Sequence, residues 1–274
     1  MVKFNIKKRI LELSFFKVFN IIRRNPNAYF YTIALDLLFF ALAIFMGKYL
    51  GSLVAGDPEQ LINFFKTPTK LLIFLVTYSA AYYLFILFIY SAIKLLILNL
   101  IKSLCKEEKL RLKMIGRFYA LNISIFAIFL FVGVVLYSLL YAIFDEEFLK
   151  YIILILSIPF LFFLYSVINV SHTIFAKEGK KGVIKKGFSI AFRKIGRYGA
   201  FLIWDFIIFA VYLLTYNLIH LIFRKFVFVN ETLLASYSGV YLTIFNIASL
   251  IALYLVISFN RVYFYGGVGK DVLP

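Results

Sequence analysis

The stretch Leu71-Leu72-Ile73-Phe74-Leu75-Val76-Thr77-Tyr78-Ser79-Ala80-Ala81-Tyr82-Tyr83-Leu84-Phe85-Ile86-Leu87-Phe88-Ile89-Tyr90-Ser91-Ala92-Ile93 decides the fold. It carries no charge from end to end. A helix rises about 1.5 Å per residue and the hydrocarbon core is about 30 Å thick, so about 20 such residues cross a bilayer. The run is continuous and does not alternate, so it does not read as a barrel strand. Five further segments read the same way: 28–50, 118–144, 151–176, 199–223 and 233–258. The prediction is an all-α fold, a polytopic helical membrane protein with six transmembrane helices paired as three hairpins. It forms a single integral membrane domain over 1–274.

Composition agrees. Of 274 residues, 64% are hydrophobic and 16% charged, with a mean hydropathy of +0.94. A soluble domain is about 45–50% apolar and about 25% charged. A chain this size has too little interior to hide so much apolar surface, which excludes a soluble enzyme, a disordered chain and a coiled coil. The first apolar stretch is interrupted by Glu12 and Lys17 and lacks a small-residue cleavage site, so no cleaved signal peptide is expected. Cys105 is the only cysteine, which precludes an intrachain disulfide.

The net charge is +17, from 30 Lys+Arg and 13 Asp+Glu. Six of the basic residues, Lys48, Lys66, Lys70, Lys150, Arg224 and Lys225, fall on one side of the spans. The rest lie on the other, in the N-terminal segment, at the end of the second span, in the second and fourth loops and in the tail. The positive-inside bias therefore predicts both termini cytoplasmic, and the Lys, Ile and Phe bias without a targeting peptide fits a prokaryotic plasma membrane. The same distribution accounts for the charge through topology and anionic headgroups, with no nucleic-acid partner.

The basic segments are also amphipathic. Residues 1–27 read as a basic helix entering the first span. In 183–197, Ile184, Phe188, Ala191, Phe192 and Ile195 recur at helical spacing against Lys185, Lys186, Arg193 and Lys194. Such helices lie in the membrane plane with the basic side towards headgroups. The bland alternative packs them on the spans from below. Candidate residues for anionic lipid, or for a membrane or cytoplasmic protein partner, are Lys7, Lys8, Arg9, Arg23, Arg24, Lys185, Lys186, Arg193, Lys194 and Arg197.

Ile115-Gly116-Arg117-Phe118-Tyr119-Ala120 resembles Ile195-Gly196-Arg197-Tyr198-Gly199-Ala200. This suggests three parallel units of basic helix, span, short loop and span. At the first join, Asn25-Pro26 can end one helix and start the next. Pro159 should kink the fourth span, and 259–274 reads as a short flexible tail. The Arg-Asn-Pro join, together with Gly182-Val183-Ile184-Lys185-Lys186-Gly187-Phe188-Ser189 and Phe192-Arg193, resembles a loose group of prokaryotic multi-pass membrane proteins. These are similar to the membrane domain attached to some glycerophosphodiester phosphodiesterases. The resemblance implies paired spans and basic helices and carries no catalytic residue, because the phosphodiesterase activity of those proteins lies in a separate domain.

Ionisable groups at membrane depth cost about 2.5–3.5 kcal/mol each and need an explanation. Asp36 lies about 12 Å from the inner end of its span and Asp205 about 9 Å. Asn122 lies at comparable depth, and His172 approaches the same level. These four are the cavity or ion-binding candidates. Alternatively, the aspartates are protonated, or paired with a cation reaching up from the inner surface. No zinc-protease or nucleophile-elbow motif is present, and nothing calls for a cofactor or metal. The reading is a non-catalytic protein that binds anionic lipid or a partner through its basic helices. The alternative is a permease-like subunit with a polar cavity around Asp36 and Asp205.

Overall fold

A computed structural model of the chain describes residues 15–55, 65, 67–108, 110–179, 182–226 and 231–272. Among them every regular element is helical: α1 (Phe15–Arg24), α2 (Pro26–Ala55), α3 (Pro68–Leu104), α4 (Ile115–Ile143), α5 (Glu146–Glu178), α6 (Val183–Arg193), α7 (Ile195–Phe226) and α8 (Glu231–Val272). Six of these, all but α1 and α6, are long and apolar enough to cross a membrane. The chain is a multi-pass helical membrane protein.

The breaks follow local chemistry. Asn25 caps α2 by accepting from the Ala28 amide at 3.2 Å, and Pro26 takes the first helical position, where its missing N–H costs nothing. Pro68 likewise takes the first position of α3, where Thr67 before it makes no side-chain cap. At the far end of α3, Lys106 turns left-handed at φ 59°. The Glu107 amide then reaches the Lys102 carbonyl at 2.8 Å and the Lys106 amide reaches that of Ser103 at 3.1 Å, a Schellman closure. Asp145, Glu146 and Glu147 place negative charge at the N-terminus of α5, where the helix dipole favours it. Pro159 sits inside α5 without ending it.

The sequence and structure part at three places. Helix α3 runs on past Ile93 to Leu104, so Lys94 and Lys102 are helical residues of a continuous span and not loop cations. Residues 259–272 are not a tail. They continue α8 and bury Val262, Phe264 and Tyr265, because these residues keep a helical stripe through the polar pair Asn260-Arg261. Finally, the middle unit of the suggested repeat has a single 3-10 turn, Leu112–Met114, where the other two have the helices α1 and α6.

Packing is concentrated at one end of the bundle, the end carrying α1, the loop after α3 and the turn between α5 and α6. The buried apolar cluster draws on Ile93 to Leu104 of α3, Phe118 to Phe129 of α4, Val167 to Ala176 of α5 and Val262 to Tyr265 of α8. The opposite halves expose large side chains such as Phe45, Leu72, Phe131, Tyr141 and Leu154. Helices in lipid gain no hydrophobic drive towards one another, so close packing and polar contacts must hold them. Most of both lies at the basic end, while α7 and α8 also pair Tyr212 with Ser249 at 2.8 Å and Tyr216 with Tyr241 further along.

Helix α6 forms where its amphipathic pattern predicts a helix, but it runs back along α5, packed on the spans as in the alternative reading rather than lying in the membrane plane. Gly187 meets Ser171, Phe188 stacks on Phe129 and touches Phe163, and Phe192 reaches Phe163. Its small face, Val183, Gly187 and Ala191, is buried on the spans, while Phe192 stays 72% exposed. Gly179 and Gly182 permit the reversal with φ of 61° and 85°. A Cβ on Gly187 would lie 2.0 Å from Ser171 Oγ.

Gly187→Ala should therefore lower stability by about 1–3 kcal/mol by thermal unfolding in detergent. Ser171 Oγ has no hydrogen-bond partner among the described residues. Ser171→Ala alone should be close to neutral, and combined with Gly187→Ala it should restore part of the loss.

Candidate functional site

Three helices converge on Asp36. Its carboxylate, 2% exposed on α2, accepts from Lys94 Nζ of α3 at 3.0 Å and from Arg261 Nη1 of α8. Lys94 and Arg261 are themselves mostly buried. Lys94 also lies 5.4 Å from the Tyr90 ring centroid, one turn back on its own helix. A cavity of about 230 Å³ opens beside them, lined in part by Asp36, Tyr90, Lys94, Tyr165, His172 and Arg261.

Behind its wall runs a chain of neutral hydrogen bonds. Ser91 donates to the Leu87 carbonyl at 2.7 Å and accepts from Asn122 Nδ2 at 2.8 Å. Asn122 Oδ1 then accepts from His172 Nε2 at 2.7 Å. Each assignment forces the next, so the proton of the imidazole sits on Nε2. Phe118 covers the ring, with centroids 4.7 Å apart.

The floor of the site is built from the ends of three helices. Tyr265 donates to Glu107, Lys177 Nζ lies 3.6 Å from the other Glu107 oxygen, and the same ammonium sits 4.6 Å from the Tyr265 ring centroid. Lys102 donates to the Ala176 carbonyl at 3.0 Å, one of the terminal carbonyls of α5 that no helical amide can satisfy. Asn99 holds the connecting loop by exchanging two hydrogen bonds with the Leu110 backbone, at 2.6 and 3.3 Å.

Of the four predicted cavity residues, Asp36 and His172 line the cavity and Asn122 stands behind His172. Asp205 does not line it. It accepts from Asn260 Nδ2 at 2.7 Å, and Asn260 adjoins Arg261, which does line the wall. The two aspartates are thus joined through adjacent residues of α8 without sharing a pocket. Among the predicted basic candidates, Arg23 and Arg24 are exposed at the end of α1, and Lys185, Lys186 and Arg193 are exposed on α6. Lys186 pairs with Glu178 at 2.8 Å. Lys194 is half-buried and closes α6, and Arg197 falls in the first turn of α7. Lys7, Lys8 and Arg9 lie outside the described residues.

Sequence reasoning missed Lys94, Arg261, Tyr90, Tyr165 and Asn260. A signal existed for the first two, since a buried carboxylate needs a cation and these are the basic residues that interrupt apolar helical stripes. Among the described residues, no three His, Cys, Asp or Glu side chains gather as metal ligands would.

Replacing Asp36 with Leu strands two cations and should cost about 3–5 kcal/mol. Lys94→Met leaves the Asp36–Arg261 pair intact and should be close to neutral or slightly stabilising by the same unfolding measurement. Nearby, burial and the Glu107 carboxylate push the Cys105 thiol up to about 11, against a partial offset from Lys177. Its maleimide labelling rate should still rise about tenfold per pH unit from pH 9 to 10, where an ordinary thiol, with a pKa of about 8.5, is already levelling off. No family model matches the chain, and neither a curated protein nor a solved structure does.

Proposed function

We propose that this is a non-catalytic membrane protein of a prokaryotic plasma membrane, oriented with its basic end in the cytoplasm, that binds anionic lipid headgroups through α1 and α6. The observation that carries the reading is the exposed surface of those two helices. Phe19 stands out beside Arg23 and Arg24 on α1, and Phe192 beside Lys185 and Arg193 on α6. An aromatic side chain entering the acyl boundary beside cations at phosphate level is the usual chemistry of an interfacial helix. Each Lys or Arg near an anionic surface contributes about 1 kcal/mol. The likeness of 182–193 to basic helices of other prokaryotic membrane domains points the same way.

The permease reading keeps one supporting observation, the cavity beside Asp36. Asp205 stands off that cavity, which weighs against a transport site shared by both aspartates.

Purification from native membranes in mild detergent, followed by native mass spectrometry, tests the proposal. The wild-type chain should retain phosphatidylglycerol over phosphatidylcholine. Lys185→Glu with Arg193→Glu should reduce that retention several-fold without changing the unfolding temperature by more than a degree or two. Unchanged retention sinks the proposal, and stoichiometric recovery of a nucleotide-binding protein would put the permease reading in its place.

A further inference from the structure

The charges around the cavity do not balance. Lys94 and Arg261 both line it, and Asp36 is the one carboxylate they share. Glu107 is engaged by Lys177 and Tyr265 on the floor, and Asp205 faces Asn260 off the wall. Among the described residues one positive charge is thus left over at a place where Lys94 is 8% exposed and Asp36 2%. A buried charge without a counter-ion is strongly unfavourable, so a negative group in the cavity would be favoured.

The donors for such a group are in place. The Lys94 ammonium has three protons and gives one to Asp36, while the Arg261 guanidinium offers five N–H bonds and engages Asp36 through Nη1. Tyr90 lines the same wall. Two cations held at fixed separation by a shared carboxylate suit a tetrahedral oxyanion, which takes charge-assisted hydrogen bonds from both. A volume of about 230 Å³ accommodates a phosphate group with a few waters, each water taking about 30 Å³.

We propose that this cavity is a binding site for a phosphate group, with Lys94 and Arg261 as its ligands and Asp36 as the residue that positions both. The group is either the phosphodiester of a phospholipid or free inorganic phosphate. The site does not rest on the surface of α1 and α6, and it survives if that surface proves inert.

The test uses the full chain, delipidated in neutral detergent and carrying Lys185→Glu and Arg193→Glu to silence the α6 surface. Inorganic phosphate should raise its unfolding temperature by several degrees, saturably, over potassium gluconate of equal ionic strength. Lys94→Met should abolish the rise and match or exceed the parent in gluconate, whereas Lys94→Arg should retain it. Asp36→Asn, where it folds, should respond at lower phosphate because it carries two unmatched cations. Native mass spectrometry then separates the sources. One phosphatidylglycerol retained by the parent and lost with Lys94→Met identifies a lipid phosphodiester, and a phosphate response without retained lipid identifies the free ion. The proposal is overturned if neither phosphate nor phosphatidylglycerol acts on the parent, or if Lys94→Met responds as the parent does.

Discussion

Asp36 ties the first span to the second and to the last helix of the chain, and the rest of the packed end is arranged around that junction. Its two cations arrive from Lys94 and from Arg261, the latter more than two hundred residues away in sequence. In water such a pair would add little, because exposed charges are well solvated. Here all three groups are mostly buried, and removal of the carboxylate would leave both cations stranded. The junction therefore acts as a condition on the fold: α2, α3 and α8 must meet at this level or leave a buried charge unmatched.

The uneven packing of the bundle follows. In lipid, apolar faces gain nothing by leaving the solvent, so long apolar half-helices have little reason to associate. The halves at the opposite end bury little and expose Phe, Leu and Tyr. At the basic end the helices carry what lipid cannot satisfy: Asp36, Lys94, Asn122, His172, Asn260 and the terminal carbonyls of α5. Each finds its partner in a neighbouring helix, and the apolar side chains between them, such as Phe118, Ile125 and Val170, are buried as a consequence. Polar satisfaction selects the contact face, and dispersion between close-packed groups then adds to it.

The spans, their number and the helix at 183–193 were legible in the sequence because each depends on local properties, apolar length or helical period. The Asn25-Pro26 join was legible for the same reason. The site was half legible. Asp36 drew attention as a carboxylate at membrane depth, and the possibility of a cation partner follows from its cost. Which cation could not be read, because Lys94 sits where hydropathy makes a span seem to stop, and Arg261 sits in what resembles a tail. Both misreadings have one cause. A hydropathy window treats a charge as a boundary, whereas a helix continues through a charge that is paired. Lys94 and Arg261 are paired, so α3 and α8 run on and bury the residues beyond them.

The order of the chain gives the junction a further property. Asp36 and Lys94 belong to the first hairpin, so α2 and α3 can form a neutral pair before any later helix is made. Arg261 is near the C-terminal end of α8 and comes last. The first hairpin is thus self-sufficient in charge, and the surplus enters only when α8 packs against α2 and α5. The cavity wall is completed by the same event, since Arg261 and Tyr265 line it alongside residues of α2, α3 and α5. A phosphate group bound to Lys94 and Arg261 would bind the assembled bundle in preference to the first hairpin alone, and by mass action would favour the docked position of α8. The group that balances the charge would then also hold the last helix to the first.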